Sequence, residues 1–220
     1  MKGVIALIAK DIRLEWRQRY ALNGMLLYIA GTVLAAYTAF GNGREVLPAP
    51  AWNALLWVIL LFTAVTAVAR SFDRERAGRF IYMYTLVSPQ QVIAAKIIYN
   101  CLLMPLLTFA GFGVYSLVLG CPVQDMGLFI TNLLMGAIGF SSTLTLVAAI
   151  ADRAAGNAML MPILSLPIMI PMLLMLIGVS KNAVDGLDFD LSVQSMLTQA
   201  ALNAIVVTVS YLLFPYLWRS

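Results

Sequence analysis

Of the 220 residues, 62% are apolar and 11% charged, with 14 Lys and Arg against 10 Asp and Glu and no histidine. A soluble domain carries about 45–50% apolar and about 25% charged residues, and a globule of this length still exposes much surface. With a mean hydropathy of +0.90, the composition excludes a soluble enzyme, a nucleic-acid binder and a disordered adaptor, and reads as an integral all-α membrane protein.

The missing residue types exclude more. Without histidine, the chain has no imidazole metal site, no Ser-His-Asp or Cys-His catalysis and no imidazole ligand for haem iron. Cys101 and Cys121 form no Cys-x-x-Cys pair, so neither a redox motif nor a disulfide framework is indicated. No Gly-x-x-x-x-Gly-Lys-Ser/Thr loop occurs, and Gly41-Asn42-Gly43 reads as a turn rather than a phosphate loop.

In chain order, residues 1–20 come first as a separate interfacial element. Val4, Ile5, Leu7, Ile8, Ile12 and Trp16 recur at helical spacing between Lys10, Arg13, Arg17 and Arg19. This predicts an amphipathic helix along anionic inner headgroups, either a plain anchor or an elbow touching a cytoplasmic partner. The charge throughout Met1 to Tyr20 does not fit a cleaved signal peptide. Residues 21–220 read as a single transmembrane domain of six helices, with spans near 21–40, 52–69, 97–119, 127–150, 158–179 and 195–217.

On the first span Gly31, Ala35 and Ala39 repeat every four residues, which predicts close approach of another helix; Ala137 and Ser141 do the same on the fourth. Asn100 and Asn132 are placed to hydrogen-bond between helices. On the third span's outer end, Cys121-Pro122 reads as a proline-set loop rather than a haem thiolate. Pro162, Pro167 and Pro171 interrupt the fifth span and predict a kinked helix, with Met169, Met172 and Met175 along it. Such a helix suits either a surface that repacks around an apolar ligand or a plain irregular span.

Placing both termini in the cytoplasm puts all but Arg44 and Lys181 of the 14 Lys and Arg on the inner side, as the positive-inside bias requires. No Asp, Glu, Lys, Arg or His lies within a span. Proton-driven carriers keep an ionisable relay there; a Na⁺ site of carbonyls and Asn or Thr oxygens stays open, and otherwise energy is expected to arrive through a partner. The expected contact is the loop after the second span, Arg70-Ser71-Phe72-Asp73-Arg74-Glu75-Arg76-Ala77-Gly78-Arg79, running on through Phe80-Ile81-Tyr82-Met83-Tyr84 to Ser88-Pro89. Mixed charge signs beside aromatics suit a protein partner better than lipid alone.

At these residues the chain resembles a known family. Lys10-Asp11-Ile12-Arg13-Leu14-Glu15-Trp16-Arg17, Ala49-Pro50, Arg70-Ser71-Phe72 with Glu75 and Gly78, Ser88-Pro89 with Ala95-Lys96, and Gly156-Asn157 through Met161-Pro162 to Pro171 occur in the order seen in the haem exporter protein B (CcmB) family. The resemblance covers nearly the whole chain. It implies a half-transporter of the type-2 ABC exporter class in the bacterial cytoplasmic (inner) membrane. The implied partners are the ATPase subunit CcmA, the haem-handling CcmC and the small CcmD, with a link to the haem chaperone CcmE. It also implies haem as the handled group, ATP bound in the partner, and no catalysis by this chain. The ATPase-coupling segment then falls on Phe72, Asp73, Arg74, Glu75, Arg76, Gly78, Arg79, Tyr82, Ser88 and Pro89, with Glu75 and Gly78 foremost. After the glycine, Arg79-Phe80-Ile81-Tyr82-Met83-Tyr84 departs from the acidic, Leu-rich stretch of many members. Two other readings stay open: a generic type-2 ABC permease for a drug, lipid or glycan, and an assembly scaffold that needs no ATP.

Overall fold

The computed structural model describes residues 2–17, 20–40, 47–73, 88–155 and 160–219, and every regular element among them is an α-helix. In chain order these are α1 (Lys2–Arg17), α2 (Tyr20–Ala39), α3 (Ala49–Asp73), α4 (Pro89–Leu119), α5 (Met126–Ala155), α6 (Leu160–Asp185) and α7 (Asp190–Arg219). Five stretches are long and apolar enough to cross a bilayer: Ala49–Phe72, Gln90–Leu119, Met126–Ala151, Met161–Asp185 and Asp190–Phe214. α2 holds a shorter apolar stretch, Asn23–Ala39, which at 1.5 Å per residue reaches about 25 Å against a hydrocarbon core of about 30 Å. The chain is an all-helical, multi-pass membrane protein.

α5 is the axis of the bundle. It packs on α3, α4, α6 and α7, and 78% of its most apolar stretch is buried, against 17% for α7. Small residues make this possible, because helices in lipid associate by close backbone approach rather than by expelling water. A Cβ at Gly136 would lie 2.7 Å from two carbons of the Trp57 ring, and one at Gly139 would lie 1.7 Å from Met172 Cε. Ala137 and Ser141 are fully enclosed on the same helix.

Aromatic packing ties α3 and α4 to this axis. Trp52 lies 5.1 Å from Tyr115 and 6.0 Å from Phe129, ring centre to ring centre, and Trp57 meets Phe140 edge-on at 6.0 Å. Both indoles are buried, so each N–H needs an acceptor. Trp52 Nε1 donates to the Gly120 carbonyl at 3.0 Å and Trp57 Nε1 to Ser180 Oγ at 2.8 Å. Asn100 Nδ2 donates to Thr145 Oγ1 at 2.8 Å, joining α4 to α5. At one end of the bundle the amides of Gln124 and Asp125 both donate to the Ala183 carbonyl, joining the α4–α5 loop to the last turn of α6. Gly186 follows with φ +65°, a conformation that favours glycine, and a Cβ there would also strike Gln124 Oε1 at 2.5 Å.

Two expectations about helix faces change. The stripe Gly31, Ala35 and Ala39 is exposed, and nothing lies within 4 Å of a Cβ built on Gly31. α2 instead turns Met25, Ile29, Val33 and Ala36 inward, because these larger side chains fill the groove over α3 and α4; the close approach uses Gly111 of α4, beside Leu60 and Ile29. The prolines do not interrupt α6 either, which is helical through Pro167 and Pro171. Pro162, Pro167 and Pro171 face outward. Met169 and Met172 point the other way and are buried, Met172 filling the notch at Gly139. They are core, not the lining of an open surface.

The notch at Gly136 is the least forgiving of these contacts, since a rigid indole held by a hydrogen bond cannot move aside. Gly136→Ala is expected to destabilise the protein by about 1–3 kcal/mol through overpacking. Gly31→Ala, facing open space, should leave stability unchanged or slightly raised. Thermal unfolding of the two detergent-solubilised variants beside the parent checks both.

Candidate functional site

The site is a buried polar junction where α1, α3 and α4 meet beside the start of the charged loop. On α1, Leu7, Asp11 and Glu15 are spaced four apart and so share one face; all three are buried, while Ile5, Ile12 and Arg13 are exposed. That face packs on α4. Leu7 joins Val92, Ile93, Ala95 and Ile97 of α4 and Phe214 of α7 in one apolar cluster. The helix is thus amphipathic in an unexpected sense. Its inward stripe carries two carboxylates, and two of its isoleucines face out.

α4 supplies the complement. Lys96 is only 4% exposed, yet its ammonium lies 3.2 Å from Asp11 Oδ2, donates to the Ser71 carbonyl at 2.9 Å and reaches Ser71 Oγ at 3.4 Å. One turn further on, Tyr99 OH donates to Glu15 Oε2 at 2.9 Å. Phe72 places its ring 5.7 Å from Lys96 Nζ, within cation–π reach. An ammonium carries three donors and no acceptor, and here it meets acceptors from two other helices. A charge taken out of water is costly unless it is paired and hydrogen-bonded, so Lys96 holds Asp11 and the end of α3 in one arrangement.

The last turn of α3 reaches a fourth element. The guanidinium of Arg70 lies against Gly24 of α2, where a Cβ would come within 3.1 Å of Nη1. Ser71 therefore sits between a contact to α2 and a contact to α4. α4 opens with Ser88 in extended conformation (φ −70°, ψ 148°) and Pro89 in the first turn. Fixed φ and a missing N–H suit proline to that position, and Val92 N returns to the Ser88 carbonyl. Lys96, two turns into α4, thus bonds that helix to the last turn of α3.

Of the residues expected to meet an ATPase, Arg74, Glu75, Arg76, Gly78, Arg79 and Tyr82 lie outside the described residues. Phe72 is half-buried against Lys96, Asp73 ends α3, and Ser88 is exposed. On α1, Lys10 lies 3.3 Å from Asp11, Arg13 is exposed, and Trp16 and Arg17 form the last turn. In the sequence Lys96 stands as an inner-side charge and, with Asp11, Glu15 and Ser71, as part of the family resemblance; nothing there pairs it with Asp11 and Ser71, or Glu15 with Tyr99. The four-residue spacing of Leu7, Asp11 and Glu15 was the available signal. Among the described residues no three His, Cys, Asp or Glu side chains gather as metal ligands. Cys121 is exposed, and Cys101 is half-buried with its sulfur 3.0 Å from Ser141 Oγ.

Removing one partner of a buried pair leaves an uncompensated charge and costs about 3–5 kcal/mol, whereas replacing both with apolar groups is often neutral. Lys96→Met is therefore expected to cost about 3 kcal/mol, the low end, because Lys10 still faces Asp11. The double variant Asp11→Leu/Lys96→Met should recover most of the loss, and Arg13→Met, on the exposed face, should stay within about 0.5 kcal/mol of the parent. A double-mutant cycle on unfolding midpoints measures this.

The comparisons fit this architecture. No curated protein matches the chain significantly. The family described as CcmB protein matches residues 2–216, nearly the whole chain and every helix of the bundle. The chain belongs to the CcmB family, the permease-like membrane subunits of the haem exporter complex in cytochrome c biogenesis.

Proposed function

We propose that this chain is the non-catalytic permease half of an ABC complex in the bacterial inner membrane, and that it converts ATP hydrolysis in a partner ATPase, CcmA, into movement of its own helices. Further partners in this reading are CcmC and CcmD. The observation that carries it is the Lys96 junction. In this reading a load on residues 74–87 reaches the last turn of α3 and the first turns of α4, which Ser71 and Lys96 tie together, and passes from there to α1 through Asp11. A loop that served only to connect two spans would need no such tie.

In this reading the chain is a type-2 exporter half: α1 serves as the elbow helix, α2 is the first and shortest of six spans, and both termini are cytoplasmic. The charge distribution supports this orientation, since only Arg44 and Lys181 of the 14 Lys and Arg fall on the outer side. Between haem export and ATP-driven release of the haem-loaded chaperone CcmE from CcmC, the composition favours release. A chain without histidine offers iron no imidazole, so it is a poor sole carrier of haem. A permease for a drug, lipid or glycan would use the same coupling geometry, but family membership speaks for the maturation role.

A haem-stained gel of membrane and periplasmic proteins tests the reading. Deleting the gene should abolish the c-type cytochrome bands, and complementation should restore them. Glu75→Ala should restore none or few of the bands while reaching the membrane at parental abundance; full restoration by Glu75→Ala would point to a scaffold that needs no ATP.

A further inference from the structure

α6 meets α3 and α5 through a small polar cluster at one turn, Leu176 to Ser180. Asn53 Nδ2 donates to the Ile177 carbonyl at 2.9 Å. Asn132 Nδ2 donates to the Leu176 carbonyl and to Ser180 Oγ, both at 2.8 Å, and Trp57 Nε1 donates to the same Ser180 oxygen at 2.8 Å. Asn53 is 2% exposed and Asn132 and Ser180 are fully buried. Because a backbone carbonyl only accepts, both amides must turn their nitrogens toward α6. Their oxygens therefore face elsewhere, and neither Asn53 Oδ1 nor Asn132 Oδ1 has a hydrogen-bond partner among the described residues.

The open valences can be counted. Ser180 Oγ accepts two hydrogen bonds, which uses both lone pairs and leaves its own hydrogen to give. The cluster thus offers two acceptors and one donor. Water carries the complement, two donors and an acceptor, and buried waters typically make about three such bonds. A monovalent cation fits worse, because it cannot accept from Ser180 and would sit beside the N–H groups of Trp57 and Asn132.

We propose that one water molecule is bound where α3, α5 and α6 meet. It donates to Asn53 Oδ1 and Asn132 Oδ1 and accepts from the Ser180 hydroxyl. The joint between α6 and its neighbours is wet, so part of its bonding exchanges with a small mobile molecule instead of running directly between side chains. The proposal is independent of the ATP-coupling reading and of the identity of any cargo.

X-ray radiolytic labelling tests it in the full-length protein in lipid nanodiscs, since radicals formed from a bound water oxidise the side chains beside it. Trp57 and Trp52 are equally buried at 1% exposure, but Trp52 donates to the Gly120 carbonyl and bonds no atom of the cluster, and it serves as the internal control. Trp57 is expected to take up label several-fold faster than Trp52, at a rate unchanged when potassium is replaced by sodium or choline. In Asn132→Leu, which removes one acceptor, the Trp57 rate should fall to that of Trp52. Equal slow labelling of the two indoles in the parent overturns the proposal even where the variant does not fold. A Trp57 rate that depends on the monovalent cation overturns it in favour of a cation site.

Discussion

Lipid tails offer a polar group nothing to bond with, and they are as apolar as the side chains that helices bury against one another. Under that constraint a helix bundle is specified by two things: where backbones can come close, and where polar side chains find partners. Both converge on α5. Gly136 and Gly139 let α3, α6 and α7 approach, while Asn132 and Thr145 bond to α6 and α4 at separate levels. A helix that is small on one side and hydrogen-bonded on others can only sit in the middle.

The same constraint explains the junction at the other end of α4. An ammonium that is 4% exposed beside the apolar contacts of Leu7 and Ile93 is retained only with its partners in place. Those partners come from α1 and from the end of α3, so the ion pair sets the angle at which α1 lies against the bundle. Apolar burial of Leu7 alone would hold α1 on α4 without choosing its register. Asp11 to Lys96 and Glu15 to Tyr99 choose it, because two bonds one turn apart on each helix match in one alignment only.

Much of the fold was legible from residue order. The long uncharged runs yield helices, and their low charge leaves no other stable form in a bilayer. Asn100 and Asn132 bridge helices because a carboxamide in lipid has few alternatives. Face assignments were less legible. Gly31, Ala35 and Ala39 have a spacing that serves close packing, yet Met25 and Ile29 on the opposite face fit the groove better. The prolines of α6 likewise look disruptive in order but face outward, where their freed carbonyls do not oppose the packing of Met169 and Met172.

Composition and order by themselves determined that this chain is a helical membrane protein with a charged loop after its second apolar run; the expectation of no Asp, Glu, Lys, Arg or His inside a span gives way, because the stretch Gln90–Leu119 takes in Lys96. These properties follow from summed hydropathy and charge, which need no knowledge of what touches what. Which charges are solvated and which are buried was decided by tertiary structure alone. Lys96, Arg70 and Arg13 are equivalent as basic residues in the sequence; only packing makes the first a buried link, the second a prop against Gly24 and the third an exposed cation. Burial is a property of neighbours brought together from Asp11, Ser71 and Lys96, and no local pattern encodes a meeting across that much chain.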